Sequence, residues 1–309
     1  MAKTSKQERV FVAGHTGLVG SSVMRRLHGL GYDDVVGRDV AQLDLTDAVA
    51  TRAFFEEMRP SYVVLAAAKV GGIHANNTFP ADFIRINLQI QTNVIDAAHR
   101  TGVKKLLFLG SSCIYPKHAP QPMKEEHLLT GPLEPTNDAY AIAKIAGILM
   151  TQAYNRQHGT NFIAAMPTNL YGPGDNFDLN TSHVLPAMVR KFVEAKDQKK
   201  AEVELWGTGS PRREFLFVDD LADALVFLLE NFDATGERDN FVNVGVGEDI
   251  SIDALAALVR EVVGYEGKIA WNASMPDGTP RKLLDVTRLK SLGWKASTPL
   301  RAGIEKTVE

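Results

Sequence analysis

Short runs of consecutive apolar, mostly β-branched residues alternate along the first half of the chain with stretches whose apolar positions recur every three to four residues. The runs at residues 9–13, 35–37, 62–66, 105–109 and 162–166 read as strands, with helices between them, the first ending near residue 30. Strands that are apolar at nearly every position must be covered on both faces. The alternation therefore predicts an α/β fold, a doubly wound parallel sheet with helices on either side. Beyond Tyr171-Gly172-Pro173-Gly174 the rhythm changes. Helices are expected at about 183–195 and 221–230, short strands at 202–206 and 241–244, and Ser251 looks like the cap of a further helix. No repeat or low-complexity linker interrupts the chain. The expected organisation is a domain over residues 1–172 and a smaller lobe over 173–309, partly interleaved with it.

Composition narrows the class. Of 309 residues 45% are hydrophobic and 23% charged, which excludes a disordered or fibrous chain. Lys and Arg total 34 against 37 Asp and Glu, so no basic excess points to a nucleic acid. Cys113 is the single cysteine, which rules out an internal disulfide and suits a reducing cytoplasm. No apolar leader opens the sequence, and no apolar run reaches the roughly 18 residues of a membrane span. The nearest approach, residues 139–150, is interrupted by Lys144. A cytoplasmic protein without a membrane or nucleic-acid partner is expected.

Candidate chemistry starts at Gly14-His15-Thr16-Gly17-Leu18-Val19-Gly20, directly after the first strand and opening a helix. Glycines at this spacing allow a tight turn, let a pyrophosphate approach the helix N-terminus, and let the helix pack on the sheet. After the second strand, Arg38 favours a 2′-phosphate and Asp39 a free ribose diol, so these residues alone leave NADP against NAD open. Tyr140 and Lys144 stand four apart in an Ala-rich helix and share a face. A lysine there is expected to lower the phenol's pKa and make Tyr140 a proton donor for a carbonyl undergoing hydride transfer. Ser111, after the fourth strand, could hold the reacting oxygen.

The glycine turn, the Ser and the Tyr-x-x-x-Lys together resemble the extended short-chain dehydrogenase/reductase family, whose core is a Rossmann sheet. Longer blocks narrow the likeness: Ala66-Ala-Ala-Lys-Val-Gly-Gly-Ile73, Ala75-Asn-Asn-Thr78, Leu106 to Pro116, Glu134-Pro-Thr-Asn137, Met166 to Pro173 and Pro276 to Asp285. They are similar to the branch that turns GDP-4-dehydro-6-deoxy-D-mannose into GDP-L-fucose by 3,5-epimerisation and 4-reduction.

The resemblance implies roles for named residues. Cys113 and His183 would be the acid/base pair for the epimerisations, with Ser111 and Tyr140 on the 4-oxygen and Lys144 on the nicotinamide ribose. NADP would be held by Gly14, His15, Thr16, Gly17, Leu18, Val19, Gly20, Arg38, Leu109, Gly110, Ser111, Ser112, Lys144, Pro167, Thr168, Asn169, Leu170 and His183. The GDP-sugar would be read by Lys191, Trp206, Arg213 and Asp277, with Lys282 a further candidate. Read without the resemblance, Cys113 is a core residue and His183 a helix start, while Trp206 suits the core as well as a ligand contact. A homodimer through the helices near 82–100 and 140–158 is implied, and no metal. Thr16, Asp39 and Val40 depart from the family pattern, which carries arginine third in the glycine turn, a neutral residue after Arg38 and a basic one next. NADP stands first, with weakened discrimination and NADH use expected. The alternatives are another nucleotide-sugar 4-epimerase or 4-reductase, a 4,6-dehydratase, or a non-catalytic dinucleotide sensor. A dehydratase would show Thr-Asp-Glu where this chain has Ser111-Ser112-Cys113.

Overall fold

A computed structural model of the chain describes residues 6–179, 181–237, 239–275 and 277–309, so Pro276 of the last block lies outside the described residues. In chain order the strands are β1 (Val10–Ala13), β2 (Val35–Val36), β3 (Tyr62–Leu65), β4 (Lys105–Leu109), β5 (Phe162–Pro167), β6 (Asn169–Tyr171), β7 (Glu202–Trp206), β8 (Arg212–Arg213), β9 (Phe215–Phe217), β10 (Phe241–Val244), β11 (Ile250–Ser251), β12 (Lys268–Asn272) and β13 (Arg281–Lys282). The helices are α1 (Leu18–Gly29), α2 (Ala48–Met58), α3 (Ile73–Thr78), α4 (Pro80–Arg100), α5 (Asp138–His158), α6 (Val184–Asp197), α7 (Val218–Asn231), α8 (Ile252–Val263), α9 (Thr287–Ser291) and α10 (Leu300–Val308).

Six strands form one sheet in the order β10-β5-β4-β3-β1-β2, every neighbouring pair parallel. Alternate residues of β1 show how it is covered. Phe11 packs with Phe55, Ile95, Phe108 and Phe162 under α2, α4 and α5. Val10 and Val12 pack with Leu27, Leu107, Leu221, Leu225 and Val242 under α1 and α7. Both faces are dry, as the near-continuous apolar strands require.

The helix α7 and the edge strand β10 come from beyond residue 172 and complete the large sheet. What remains of the second half builds its own core from α6, α8 and α10 with β7 and β9, including Phe192, Leu205, Phe217, Leu255 and Ile304. The second strand ends one residue earlier than its predicted run, before Gly37, which lies so close to the His15 ring that a Cβ there would be 2.2 Å from it. Ser251 does precede a helix, but its hydroxyl caps no helix N–H and turns to the Asp253 carboxylate instead. Among the described residues no helix is long and apolar enough to cross a membrane.

Candidate active site

The strand order reverses between β1 and β3, and a crevice opens there at the strands' carboxyl ends. The glycine turn fills this edge. Gly14 has φ +82, and a Cβ on it would lie 2.7 Å from Ala67 N. A Cβ on Gly20 would lie 2.1 Å from Gly14 O, so α1 can pack this close only with glycine there. Gly17 differs. It is the N-cap of α1, no side chain caps the helix, and its Cβ direction is open except for Gly14 O at 3.5 Å. No acidic residue stands in the first turn. Free N–H groups facing open space beside a glycine suit a dinucleotide diphosphate. His15 adds a buried Nδ1 with no partner among the described residues, a polar atom that a bound group could satisfy.

At the adenine end the charges are only partly free. Arg38 donates to Gly37 O at 2.8 Å and stands 5.8 Å over the Phe54 ring. Asp39 Oδ1 accepts from Gln42 N at 3.0 Å, so its carboxylate closes a local turn. Thr16 is exposed, and Val40 is 76% exposed.

The reacting groups meet above β4. Ser111 starts a single 3-10 turn, and Cys113 N donates to its Oγ at 3.4 Å. The Ser111 hydroxyl also neighbours the Cys113 thiol and the Tyr140 hydroxyl and favours ionisation of both. Tyr140 stands in the first turn of α5, one helical turn before Lys144. Burial pushes the Tyr140 phenol well above its ordinary value, the nearby Cys113 adds to this, and Ser111 opposes it. This corrects the expectation that Lys144 lowers the phenol. Lys144 is itself buried, burial pushes it down to about 8, and its Nζ donates to Leu109 O at 2.7 Å. The ammonium stands 5.8 Å from the Tyr140 ring centroid and spends its hydrogen bond on the end of β4.

Burial likewise pushes the Cys113 thiol up, with Ser111, Lys282 and Lys144 opposing. His183 is the N-cap residue of α6, reached by solvent although protein surrounds it. Burial pushes it down, and Lys282 pushes further. At neutral pH the thiol therefore holds its proton and the imidazole is neutral.

A pair of short strands explains the cations. In the parallel ladder of β8 and β13, Arg212 is opposite Arg281 and Arg213 opposite Lys282. The first pair shares one carboxylate, Asp249, which accepts from Arg212 Nε at 2.8 Å and from Arg281. Among the described residues the second pair has no such carboxylate salt bridge. Burial pushes both Arg213 and Lys282 down; Asp277 opposes this at Arg213, and Cys113 and Glu134 oppose it at Lys282. Two cations side by side with incomplete compensation have the chemistry to receive a dianion such as a diphosphate.

Trp206 is 55% exposed, so it is not core, and Lys191 Nζ lies 5.7 Å from its ring while donating to Glu204 O at 3.0 Å. Asp277 accepts from Thr208 N at 2.7 Å and Thr208 Oγ1 at 2.8 Å, which fixes the loop after Trp206. Thr168 and Asn169 direct their side chains at Glu214 O, so they offer a cofactor main chain rather than side chain. Pro167 and Leu170 flank them, and Leu109, Gly110 and Ser112 continue β4 into the site.

Two buried carboxylates escape sequence reasoning. Asp175 is pushed up to about 6 by burial, and its Oδ2 has no partner. Glu214 sits in an Arg-Arg-Glu run that reads as solvated charge. The apolar Phe215-Leu216-Phe217 that follows is the one signal that this run enters the interior.

Residues 10–245 match the NAD dependent epimerase/dehydratase family. A probable GDP-L-fucose synthase 1 of Oryza sativa subsp. japonica is 61% identical over 303 residues, 98% of this chain and 91% of its own. A GDP-L-fucose synthase of Escherichia coli (strain K12) is 53% identical, covering 98% of this chain and 96% of its own. The crystal structure of a GDP-L-fucose synthetase from Naegleria fowleri bound to NADP superposes with a TM-score of 0.91 at 28% identity, covering 99% and 94% of the two chains.

The glycine turn yields a paired test. Gly20→Ala places a methyl against Gly14 O and is expected to cost about 1–3 kcal/mol of stability. Gly17→Ala is expected to stay within about 1 kcal/mol while weakening NADPH binding at least about tenfold, because its methyl faces the diphosphate. Thermal melts and NADPH fluorescence titrations check both. Equal melting of the two variants, or full NADPH affinity in Gly17→Ala, would contradict this account of the turn.

Proposed function

We propose that this protein, which belongs to the NAD dependent epimerase/dehydratase family, converts GDP-4-dehydro-6-deoxy-D-mannose to GDP-L-fucose. It epimerises C3 and C5 and reduces C4 with NADPH. The observation that carries the reading is one buried cluster, Cys113, Ser111 and Tyr140, in a chain matched from end to end by enzymes of that name. A simple 4-epimerase has no use for a thiol paired with an imidazole, and a sensor has no use for the catalytic tyrosine.

The 4-keto group acidifies the protons at C3 and C5. Ser111 and Tyr140 donate hydrogen bonds to the 4-oxygen as enolate charge develops. Cys113 and His183 exchange protons with the two carbons, holding one transferable proton between them, on the thiol at rest. Tyr140, kept protonated by burial, then gives its proton to the 4-oxygen. NADPH, when bound, supplies the hydride to C4. The glycine turn and the free first turn of α1 would hold its diphosphate, and Lys144 its nicotinamide ribose. Arg213 and Lys282 take the GDP diphosphate, with Lys191 and Trp206 toward the base or sugar and Asp277 orienting Arg213.

We also propose a homodimer through α4 and α5. These helices pack on each other, and Ile142 and Leu149, two turns apart on α5, remain exposed. Leu149→Glu is expected to shift sedimentation to the monomer, and an unchanged mass would remove this interface.

The reaction is followed at 340 nm with purified protein, the GDP-keto-sugar and NADPH. Cofactor oxidation with GDP-L-fucose as product is expected, and no oxidation would reject the reductase reading. Tyr140→Phe should lower hydride transfer by at least about 100-fold while solvent deuterium still enters C3 and C5. That exchange, measured without NADPH, requires a neutral imidazole and a protonated thiol. It should fall on the acid side only below the ordinary histidine value of 6.5 and on the alkaline side only above the ordinary thiol value of 9.0. An acid midpoint above the first or an alkaline midpoint below the second would contradict the assignment. Because Thr16 and Val40 supply no cation beside Arg38, NADPH is expected to exceed NADH in kcat/KM by less than about 1,000-fold. A larger ratio would refute the weakened discrimination.

A further inference from the structure

Glu214 takes no part in the steps above, yet it is fully buried at 0% exposure and forms no salt bridge among the described residues. Its carboxylate faces main chain. Oε1 accepts from Val246 N at 2.6 Å and Gly247 N at 2.7 Å, and Oε2 accepts from Leu284 N at 3.0 Å. The approach at Gly245 is so close that a Cβ there would lie 2.3 Å from Oε1. The main chain of the same residue is equally engaged. Its N–H donates to Lys282 O at 3.3 Å, and its C=O accepts from Thr168 Oγ1 at 3.2 Å and Asn169 Nδ2 at 2.8 Å.

A buried carboxylate costs several kcal/mol in lost hydration, and burial pushes Glu214 upward against its three N–H donors. Only an ionised carboxylate is an acceptor at both ends with no hydrogen of its own. A glutamine would turn its amide N–H₂ against either the Val246–Gly247 pair or Leu284.

We propose that Glu214 is a positioning residue for the nucleotide-sugar: it fixes the β8–β13 ladder, which carries Arg213 and Lys282, against the cofactor-side segment 168–169. One residue thereby joins both strands of the diphosphate receptor, the turn after β10 and the end of β5. The distance between the two bound molecules is set there, outside either of their contact surfaces. This inference rests on the functional reading above.

The test compares Glu214→Gln with the wild-type protein. GDP affinity, measured by calorimetry, is expected to fall about tenfold, and NADPH affinity, measured by fluorescence, to change less than about twofold. The kcat for NADPH oxidation with the GDP-keto-sugar should fall about 100-fold, the cost of a misplacement near 1 Å. Unchanged GDP affinity with only a lower melting temperature would overturn the proposal, as would an equal loss of both affinities. Glu214→Asp, which keeps the carboxylate on a shorter stem, should show the same split if Glu214→Gln does not fold. Failure of both variants to fold would leave a purely structural role and also overturn it. A wild-type protein that binds GDP but oxidises no NADPH with the keto-sugar would refute the functional reading, while the calorimetric comparison would still decide the role of Glu214.

Discussion

Strands buried on both faces can offer ligands only their ends, and this constraint organises the molecule. The helices α2, α4 and α5 cover one face of the six-stranded sheet and α1 and α7 the other. Chemistry is therefore confined to the carboxyl edge. The glycine turn follows β1, Ser111 and Cys113 follow β4, and Thr168 and Asn169 follow β5. Even Lys144, on α5, reaches this edge through its bond to Leu109 O. The second lobe brings Arg213 and Lys282 to the same edge by returning its chain to the sheet through Glu214 and β10.

Desolvation then sets the charge state of the groups gathered there. Tyr140 and Cys113 are pushed up and His183, Lys144, Arg213 and Lys282 down, each with burial as its leading cause. Burial thus favours the neutral forms of Tyr140, Cys113 and His183. The cations opposite them are left under-compensated. The contrast with Arg212 and Arg281 is informative, since one strand position away two arginines share the Asp249 carboxylate in salt bridges. Alternation along a two-residue ladder separates cations that stabilise the fold from cations kept for a ligand.

Much of this was legible in the residues. The near-continuous apolar runs predict the parallel sheet, and the spacing of Gly14, Gly17 and Gly20 predicts a turn with room for a diphosphate. The i, i+4 relation puts Tyr140 and Lys144 on one face of α5. These features depend on contacts close in sequence, or on burial patterns that one element declares by itself. Trp206 was ambiguous because an aromatic side chain suits core and ligand equally, and its exposure resolves the ambiguity.

The rest depended on residues far apart in the chain. Lys144 could be expected to tune Tyr140, but only the fold shows that burial outweighs the ammonium and that Leu109 O claims it. Only the apolar Phe215-Leu216-Phe217 that follows hints locally that Glu214 is buried, and its three N–H donors lie 32 to 70 residues away. The sequence by itself determined the main elements of the large sheet and the glycine turn, because periodicity and covalent geometry act over a few residues. The tertiary structure decided which charges are paired, which protons are held and how the two lobes meet, because desolvation and hydrogen bonding depend on neighbours that only folding supplies.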